Sequence, residues 1–231
     1  IPTKVFTNLI EVAGKYNKSL KKYIRLRKKY LGLKQYHTYD RFLELAHSNK
    51  EYTYEEAKEL FFHSISQFPQ DFQDKAHEVL RDGFVDVMEK VGKRTGAYSS
   101  SVANLHPFIL LNFDHTLDSV FTVAHEAGHS IHSMYATQTQ PTMLQDYTIF
   151  VAEISSTFNE HTLLDYFLSL PDATKEEKIM VIQKAIDEIM STFYRQTLFA
   201  EYEYLANHEV AKGNPINPVS YTHLTLPTIL L

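Results

Sequence analysis

One short apolar run, residues 106–113, interrupts a sequence whose apolar residues otherwise recur mostly at the spacing of an α-helix. The run reads HPFILLNF and is bounded by polar and turn-forming residues, which is typical of a β-strand. Pro107 favours the start of a strand or the edge of a sheet, because proline has no backbone N–H to donate. The sequence therefore predicts a mainly α fold with a small β-sheet near the helix that follows this strand.

Helical spacing and capping signals predict helices over about residues 6–30, 53–67, 71–91, 116–135, 147–170 and 175–210. The segments TYEE at 53–56 and TKEE at 174–177 match the capping box, in which threonine and glutamate satisfy each other's backbone amides. Asp114 or Thr116 can cap the helix after the strand. Residues 39–45 indicate an irregular link and residues 92–100 a series of turns.

Composition narrows the class of protein. The 231 residues fit one large domain or part of a larger protein. Their formal net charge is −5, so no global positive potential attracts nucleic acid. No apolar stretch reaches about 18 residues, so no membrane-spanning segment is predicted. The sequence has no cysteine, which excludes disulfides, thiol catalysis and thiolate-bound zinc, and which fits a reducing cytoplasm.

The strongest chemical signal is the segment HEAGH at 125–129, which follows an apolar run. His125 and His129 lie on one face of a helix, about 6 Å apart along its axis, so both imidazoles can bind one zinc ion. Glu126 is rotated about 100° from His125, which places its carboxylate beside the metal. There it can activate a zinc-bound water by taking a proton and later give that proton to a leaving amine. Gly128 allows another element or a substrate to come close.

A catalytic zinc ion takes three protein ligands and keeps one position open, so a third ligand is needed from another element. Glu153 is the best candidate, because a carboxylate among apolar neighbours needs a partner and a metal ion supplies one. Otherwise it is an ordinary helix-surface glutamate. Glu160, His161 and Asp165 are weaker alternatives, and Glu160 can instead hold a ligand in orientation.

Six segments occur together between about residues 92 and 201: KRTGAYS at 93–99, PFILLN at 107–112, LDS at 117–119, HEAGHSIHS at 125–133, VAEISSTFNE at 151–160 and RQTLFAE at 195–201. In this order they resemble oligoendopeptidase F, of the thimet-oligopeptidase-like zinc peptidases. The combination is highly specific, and weaker similarity extends upstream.

The resemblance implies a cytoplasmic endopeptidase that cleaves short peptides and holds one zinc ion in a helical, zincin-type domain. His125, His129 and Glu153 match the metal ligands of the family, and Glu126 matches its base. The strand that begins at Pro107 is implied to be the sheet edge to which a peptide substrate adds. A narrow channel is implied to exclude folded proteins.

The sequence also divides into two unequal parts. Residues 1–218 are predicted to form part of a metallopeptidase catalytic domain, and residues 219–231 resemble a translated sequencing adapter and are predicted to be a non-native tail. Family members continue into a Tyr- and Gly-rich segment that supplies oxyanion-stabilising His and Tyr side chains. That segment is not recognisable here, so a chain that binds zinc but catalyses poorly is expected. Most of the family's N-terminal helical region is not recognisable either, so exposed apolar patches are expected.

Two other hypotheses stay open. The basic segment 15–34 lies within residues 12–39, which contain no acidic residue. This charge pattern favours a solvated helix face. The alternative is a noncatalytic helical module that binds anionic partners through this segment. A different zinc peptidase or an aminopeptidase with the same ligand types is the other hypothesis. His132 is a candidate support for the site, and Arg94 and Tyr98 are candidate substrate contacts.

Overall fold

The computed structural model describes residues 2–102 and 104–225. The chain divides into two compact units. The terminal unit consists of residues 1–47 and 179–231, and the central unit consists of residues 48–178. The mainly α fold class is confirmed, because helices dominate both units and the described strands form one small sheet in the central unit.

The terminal unit begins with two helices, α1 (Thr3–Lys15) and α2 (Lys18–Tyr30). The single helix predicted over residues 6–30 is therefore wrong at its middle, where the chain leaves the helix at Tyr16 and Asn17. Asparagine competes for backbone hydrogen bonds and weakens a helix interior, which accounts for a break at this point. A 3₁₀ turn (Thr38–Phe42) lies in the segment predicted to be irregular.

Arg27 organises the terminal unit although it belongs to the basic segment 15–34. Its side chain is fully buried. The guanidinium donates to the Tyr36 hydroxyl at 3.1 Å and to the backbone carbonyls of Asp40, Arg41 and Leu43. Five N–H donors in a rigid plane can satisfy several acceptors at once, so this residue holds the 3₁₀ turn against α2.

The central unit begins with α3 (Tyr54–Ser64) and α4 (Gln70–Val79). The capping box at the start of α3 is confirmed, because Glu56 N–H donates to Thr53 Oγ1 and Thr53 N–H donates to the Glu56 carboxylate. The helix predicted over residues 71–91 is wrong beyond Val79. Gly83 adopts a φ of +86° there, which other residues avoid, and the chain turns into a strand.

Three strands form the sheet: β1 (Val85–Met88), β2 (Tyr98–Ser100) and β3 (Phe108–Phe113). Their order is β1-β3-β2, with β1 parallel and β2 antiparallel to β3. The implied edge position of the strand that begins at Pro107 is therefore wrong, because β3 is central among the described strands. Pro107 precedes β3, so its missing N–H costs no ladder hydrogen bond. Strand β2 is an edge instead.

Two long helices pack on each other and position the sheet: α5 (Leu117–Thr139) and α6 (Ile149–Ser169). Thr116 rather than Asp114 caps α5, because its hydroxyl accepts the Ser119 amide. Asp114 in turn accepts the Thr116 and Ser119 hydroxyls. Alternate residues of β3 are buried on the core side of the sheet, and they are Ile109, Leu111 and Phe113.

The helix predicted over residues 175–210 begins at its expected capping box, where Glu177 N–H donates to Thr174 Oγ1. It comprises α7 (Lys175–Glu188), a π-helical segment (Ile189–Tyr194) and α8 (Arg195–Ala211). A last helix, α9, spans Pro218–Thr225. The non-native tail predicted for residues 219–231 stays a prediction, and residues 226–231 lie outside the described residues. Among the described helices, none has both the length and the apolar character needed to span a bilayer.

Replacing Arg27 with methionine should lower the free energy of unfolding by about 3 kcal/mol, because buried carbonyl groups lose their donors. Urea unfolding followed by circular dichroism measures the change. Arg25→Met is the matched control, since Arg25 is exposed on the same helix. An equal effect of both substitutions would contradict the structural role of Arg27.

Candidate metal centre

Three side chains from α5 and α6 bring their ligand atoms together. The Nε2 atoms of His125 and His129 lie 3.2 Å apart. Each of them lies 3.4 Å from Oε2 of Glu153. Within the described part of the chain, these residues form the one group of three that could share a metal ion.

The triangle of these atoms has the size that zinc requires. Its centre lies about 1.9 Å from every corner, close to the roughly 2.0–2.2 Å at which zinc binds imidazole nitrogen and carboxylate oxygen. Two imidazoles and one carboxylate are also a zinc donor set, whereas magnesium and calcium favour oxygen ligands alone. The donor atoms therefore fit one zinc ion.

Gly128 makes the approach of α6 to α5 possible. A Cβ atom at this position would lie 2.7 Å from both the carbonyl oxygen of Ser155 and the Cα of Ser156, closer than real Cβ contacts. The expectation that Gly128 lets another element come close is thus confirmed. Because Ser155 and Ser156 lie two and three residues after Glu153 on α6, this contact limits the distance between that carboxylate and the two histidines.

Further hydrogen bonds orient the ligand side chains. Glu160, buried on α6, places Oε2 3.3 Å from Nδ1 of His125, on the side of the ring away from the cluster. The carbonyl of Ala152 accepts a hydrogen bond from the His129 ring. The Ser156 hydroxyl lies 2.8 Å from Oε2 of Glu153. The contacts of Glu160 and Ala152 with the histidine rings are of the kind that fixes the orientation and tautomer of a metal-binding histidine.

These surroundings also shift the histidine pKa values. Burial alone lowers the pKa of His125, but the hydrogen bond and negative charge of Glu160 outweigh it, so the net pKa is raised. Burial lowers the pKa of His129, which favours the neutral ring that a metal ion needs.

Glu126 lies beside the cluster in a largely buried position. Burial, the largest effect, raises the pKa of Glu126. The Ser99 backbone amide, on β2, hydrogen-bonds to the carboxylate. Within residues 2–102 and 104–225, no group hydrogen-bonds to the second oxygen, Oε2. A buried carboxylate oxygen without a donor is costly, so it indicates a place for a ligand or a reacting group.

A side-chain hydrogen bond joins strand β2 to α5 near Glu126. The hydroxyls of Ser99 and Ser130 lie 2.8 Å apart, and Ser130 is fully buried. Sequence reasoning missed both residues. Ser99 lies inside the recognised segment 93–99, and Ser130 directly follows the HEAGH motif, but only the packing of β2 on α5 brings them together.

The remaining candidate residues have other positions. His161 and Asp165 are exposed on α6 and are not part of the ligand cluster. His132 stacks on Tyr147, with ring centroids 3.9 Å apart, and the Tyr147 hydroxyl donates to the His129 carbonyl at 3.4 Å. His132 thus supports the helix turn behind a ligand.

The two proposed substrate contacts lie on or near β2. The Arg94 carbonyl accepts a hydrogen bond from the Asn112 side chain, which fixes the turn before this strand. Tyr98 lies on β2 itself and is partly exposed.

Comparison with known proteins places this geometry in a family. The profile of peptidase family M3 matches residues 1–225. The chain belongs to peptidase family M3. Among the relatives of this M3 chain, oligopeptidase PepF of Bacillus subtilis is 36% identical over 225 residues, which are 97% of this chain and 33% of the relative. The chromosomal oligoendopeptidase F of Lactococcus lactis subsp. cremoris is 36% identical over 213 residues, or 92% of this chain and 35% of the relative.

A solved structure shows the same fold for the M3 chain. A crystal structure of a Chlamydophila abortus protein superposes with a TM-score of 0.87 at 39% identity, covering 99% of this chain and 38% of the other. The resemblance to oligoendopeptidase F is confirmed by these relatives. The chain spans about a third of the length of the curated relatives it matches.

Replacing Gly128 with alanine should lower the free energy of unfolding by about 2 kcal/mol, because the new methyl group overlaps the α6 backbone. Gly14→Ala is the control. Gly14 also lies within a helix but has nothing within 4 Å of an added Cβ, so alanine there should stabilise by up to about 1 kcal/mol. Thermal unfolding of both variants measures the difference, and stabilisation by both would contradict the close contact.

Proposed function

We propose that this M3 chain is the catalytic core of a zinc-dependent endopeptidase that hydrolyses peptide bonds in oligopeptides. The observation that carries the proposal is the triangle of His125, His129 and Glu153 ligand atoms with the Glu126 carboxylate beside it. Family membership and the oligopeptidase names of the relatives support the same reaction.

His125, His129 and Glu153 would hold one zinc ion. Zinc in such a site acts as a Lewis acid that lowers the pKa of water and polarises a carbonyl group. Glu160 holds the His125 ring through Nδ1, so that Nε2 keeps its lone pair directed into the cluster. The Ala152 carbonyl also hydrogen-bonds to the His129 ring and would help to orient it.

Glu126 would serve as the base. Its Oε2, which has no hydrogen-bond partner among the described residues, would accept a proton from the attacking water and return it to the nitrogen of the leaving amine. Burial raises the pKa of this carboxyl towards neutral pH, which suits a group that must both accept and donate a proton. The Ser99 amide hydrogen-bonds to the carboxylate and would help to hold it.

Edge strand β2 offers the binding surface for a peptide backbone. Extended peptides bind exposed sheet edges by forming main-chain hydrogen bonds. Because Ser99 on β2 contacts Glu126, a peptide that adds to this edge would run past the base. In this arrangement β2, rather than the strand that begins at Pro107, is the sheet edge to which a peptide substrate adds. A peptide bound along a strand in this way favours cleavage within the peptide over removal of single terminal residues.

Short peptides are the proposed substrates, and no nucleic acid partner is proposed. A cytoplasmic location is part of the proposal, because a chain without cysteine has no need of an oxidising compartment.

Glu126→Gln should reduce the hydrolysis rate of a quenched fluorescent peptide by about 100-fold or more, because the amide cannot accept the proton. Zinc content, measured by atomic emission, should stay near one ion per chain. Glu59→Gln, an exposed change of the same kind on α3, is the control. Unchanged activity in Glu126→Gln would exclude the assigned base.

Glu160→Gln should weaken zinc binding by about 10- to 100-fold, because the His125 ring loses its charged acceptor. Competition with a zinc chelator measures the affinity. Asp165→Asn, an exposed change on the same helix, should have no effect. If both variants bind zinc like the unaltered protein, Glu160 does not orient the ligand.

A further inference from the structure

The hydroxyl of Ser156 contacts the carboxylate that completes the ligand cluster. Ser156 is fully buried on α6, and its Cα belongs to the close helix contact at Gly128. Its Oγ lies 2.8 Å from Oε2 of Glu153. The same oxygen lies 3.4 Å from Nε2 of both His125 and His129. The hydroxyl therefore contacts the candidate ligand atom itself rather than the other oxygen of the carboxylate.

The single proton of this hydroxyl has two acceptors within reach. Besides Oε2, the backbone carbonyl oxygen of Glu153 lies 3.1 Å from Ser156 Oγ. A carbonyl oxygen has two lone pairs, and here the helical N–H and the hydroxyl of Thr157 both donate to it. The carboxylate is also the stronger acceptor, because it carries a charge. The Ser156 hydroxyl thus donates to Oε2.

This hydrogen bond limits how the carboxylate can meet a metal ion. The Ser156 proton occupies one lone-pair direction of Oε2, which leaves the other for the centre of the cluster. Because Ser156 is fully buried, water does not compete for its hydroxyl. The carboxylate is therefore presented to the two histidines through one oxygen.

The Glu153 side chain needs such a contact more than the histidines do. It is 61% exposed, whereas the side chains of His125 and His129 are 26% and 16% exposed. An exposed glutamate loses rotamer freedom when it binds an ion, which weakens binding unless the rotamer is already fixed. Within residues 2–102 and 104–225, Ser156 provides the one hydroxyl or amide that donates to this carboxylate.

We propose that Ser156 is a positioning residue of the metal centre, whose hydroxyl keeps Oε2 of Glu153 directed at the metal ion and Oε1 turned away from it. A carboxylate free to turn would bind the ion through both oxygens and occupy the position that a catalytic zinc site keeps open for water. This inference rests on the proposed function, because it concerns the same metal centre.

Ser156→Ala should weaken zinc binding about tenfold, since the carboxylate is no longer fixed before the ion arrives. Competition with a zinc chelator measures the affinity. Ser169→Ala is the matched control, because Ser169 lies on the same helix and its hydroxyl donates to the backbone carbonyl of Tyr166, three residues earlier. The control should bind zinc like the unaltered protein. Equal affinity of both variants would overturn the proposal.

A double-mutant cycle separates positioning of the carboxylate from packing of the helices. If Ser156 acts through Glu153, adding Ser156→Ala to a Glu153→Ala protein should cause no further loss of zinc affinity. The same tenfold loss in both backgrounds would mean that Ser156 acts through the contact of α6 with α5. That result would overturn the proposal.

Cobalt(II) in place of zinc reports the number of bound ligand atoms, because its visible absorption is more intense with four ligands than with five or six. The unaltered protein should give the intense spectrum of three protein ligands and one water. Ser156→Ala should give a weaker spectrum, because the carboxylate then binds through both oxygens. An unchanged spectrum would overturn the proposal, since Glu153 would keep its orientation without the hydroxyl.

Failure of this inference and failure of the proposed function give different results. Stoichiometric zinc and Glu126-dependent hydrolysis, with no effect of Ser156→Ala on affinity or spectrum, would leave the peptidase and remove the role of Ser156. Loss of affinity and a changed cobalt spectrum in Ser156→Ala, in a zinc-loaded chain that hydrolyses no peptide, would leave the positioning role and remove the peptidase.

Discussion

The close contact of α5 with α6 at Gly128 is the constraint on which the rest of the central unit depends. With no side chain at this position, the backbone at Ser155 and Ser156 comes within a distance that a Cβ would not allow. A ligand carboxylate on one helix thereby meets two imidazoles on the other. The buried Asn159 side chain, which donates to the Ala124 carbonyl, joins the same pair of helices about one turn away. Metal-site geometry is thus a consequence of helix packing.

The packing of α5 on α6 also buries carboxylates that neighbouring side chains only partly neutralise. Glu126 and Glu160 are both buried within one turn of the histidines, and Glu153 completes a group of three carboxylates. Buried carboxylates destabilise a fold unless they are paired. His125 pairs with Glu160, but Oε2 of Glu126 has no hydrogen-bond donor among the described residues. A divalent cation would balance this charge, and the uncompensated oxygen belongs to the residue that we propose as the base.

Strand β2 and helix α6 both contact α5 near the candidate metal centre. Strand β2 reaches Glu126 through Ser99, and the Ser99–Ser130 pair holds that strand on the helix. Helix α6 supplies Glu153, whose carboxylate lies 3.4 Å from both histidine Nε2 atoms. Both elements are therefore positioned by α5, the helix that carries Glu126.

The sequence by itself determined what depends on neighbours along the chain. The four-residue spacing of His125 and His129 requires one helical face, and the capping boxes mark where α3 and α7 begin, because these contacts are local. It did not determine that β3 is central, that a strand replaces the end of the helix expected over 71–91, or which α6 carboxylate lies next to both histidine Nε2 atoms. Strand order and the choice between Glu153 and Glu160 depend on contacts between residues far apart in sequence. Only the packing of α6 against Gly128 directs one carboxylate to Nε2 and the other to Nδ1 of His125.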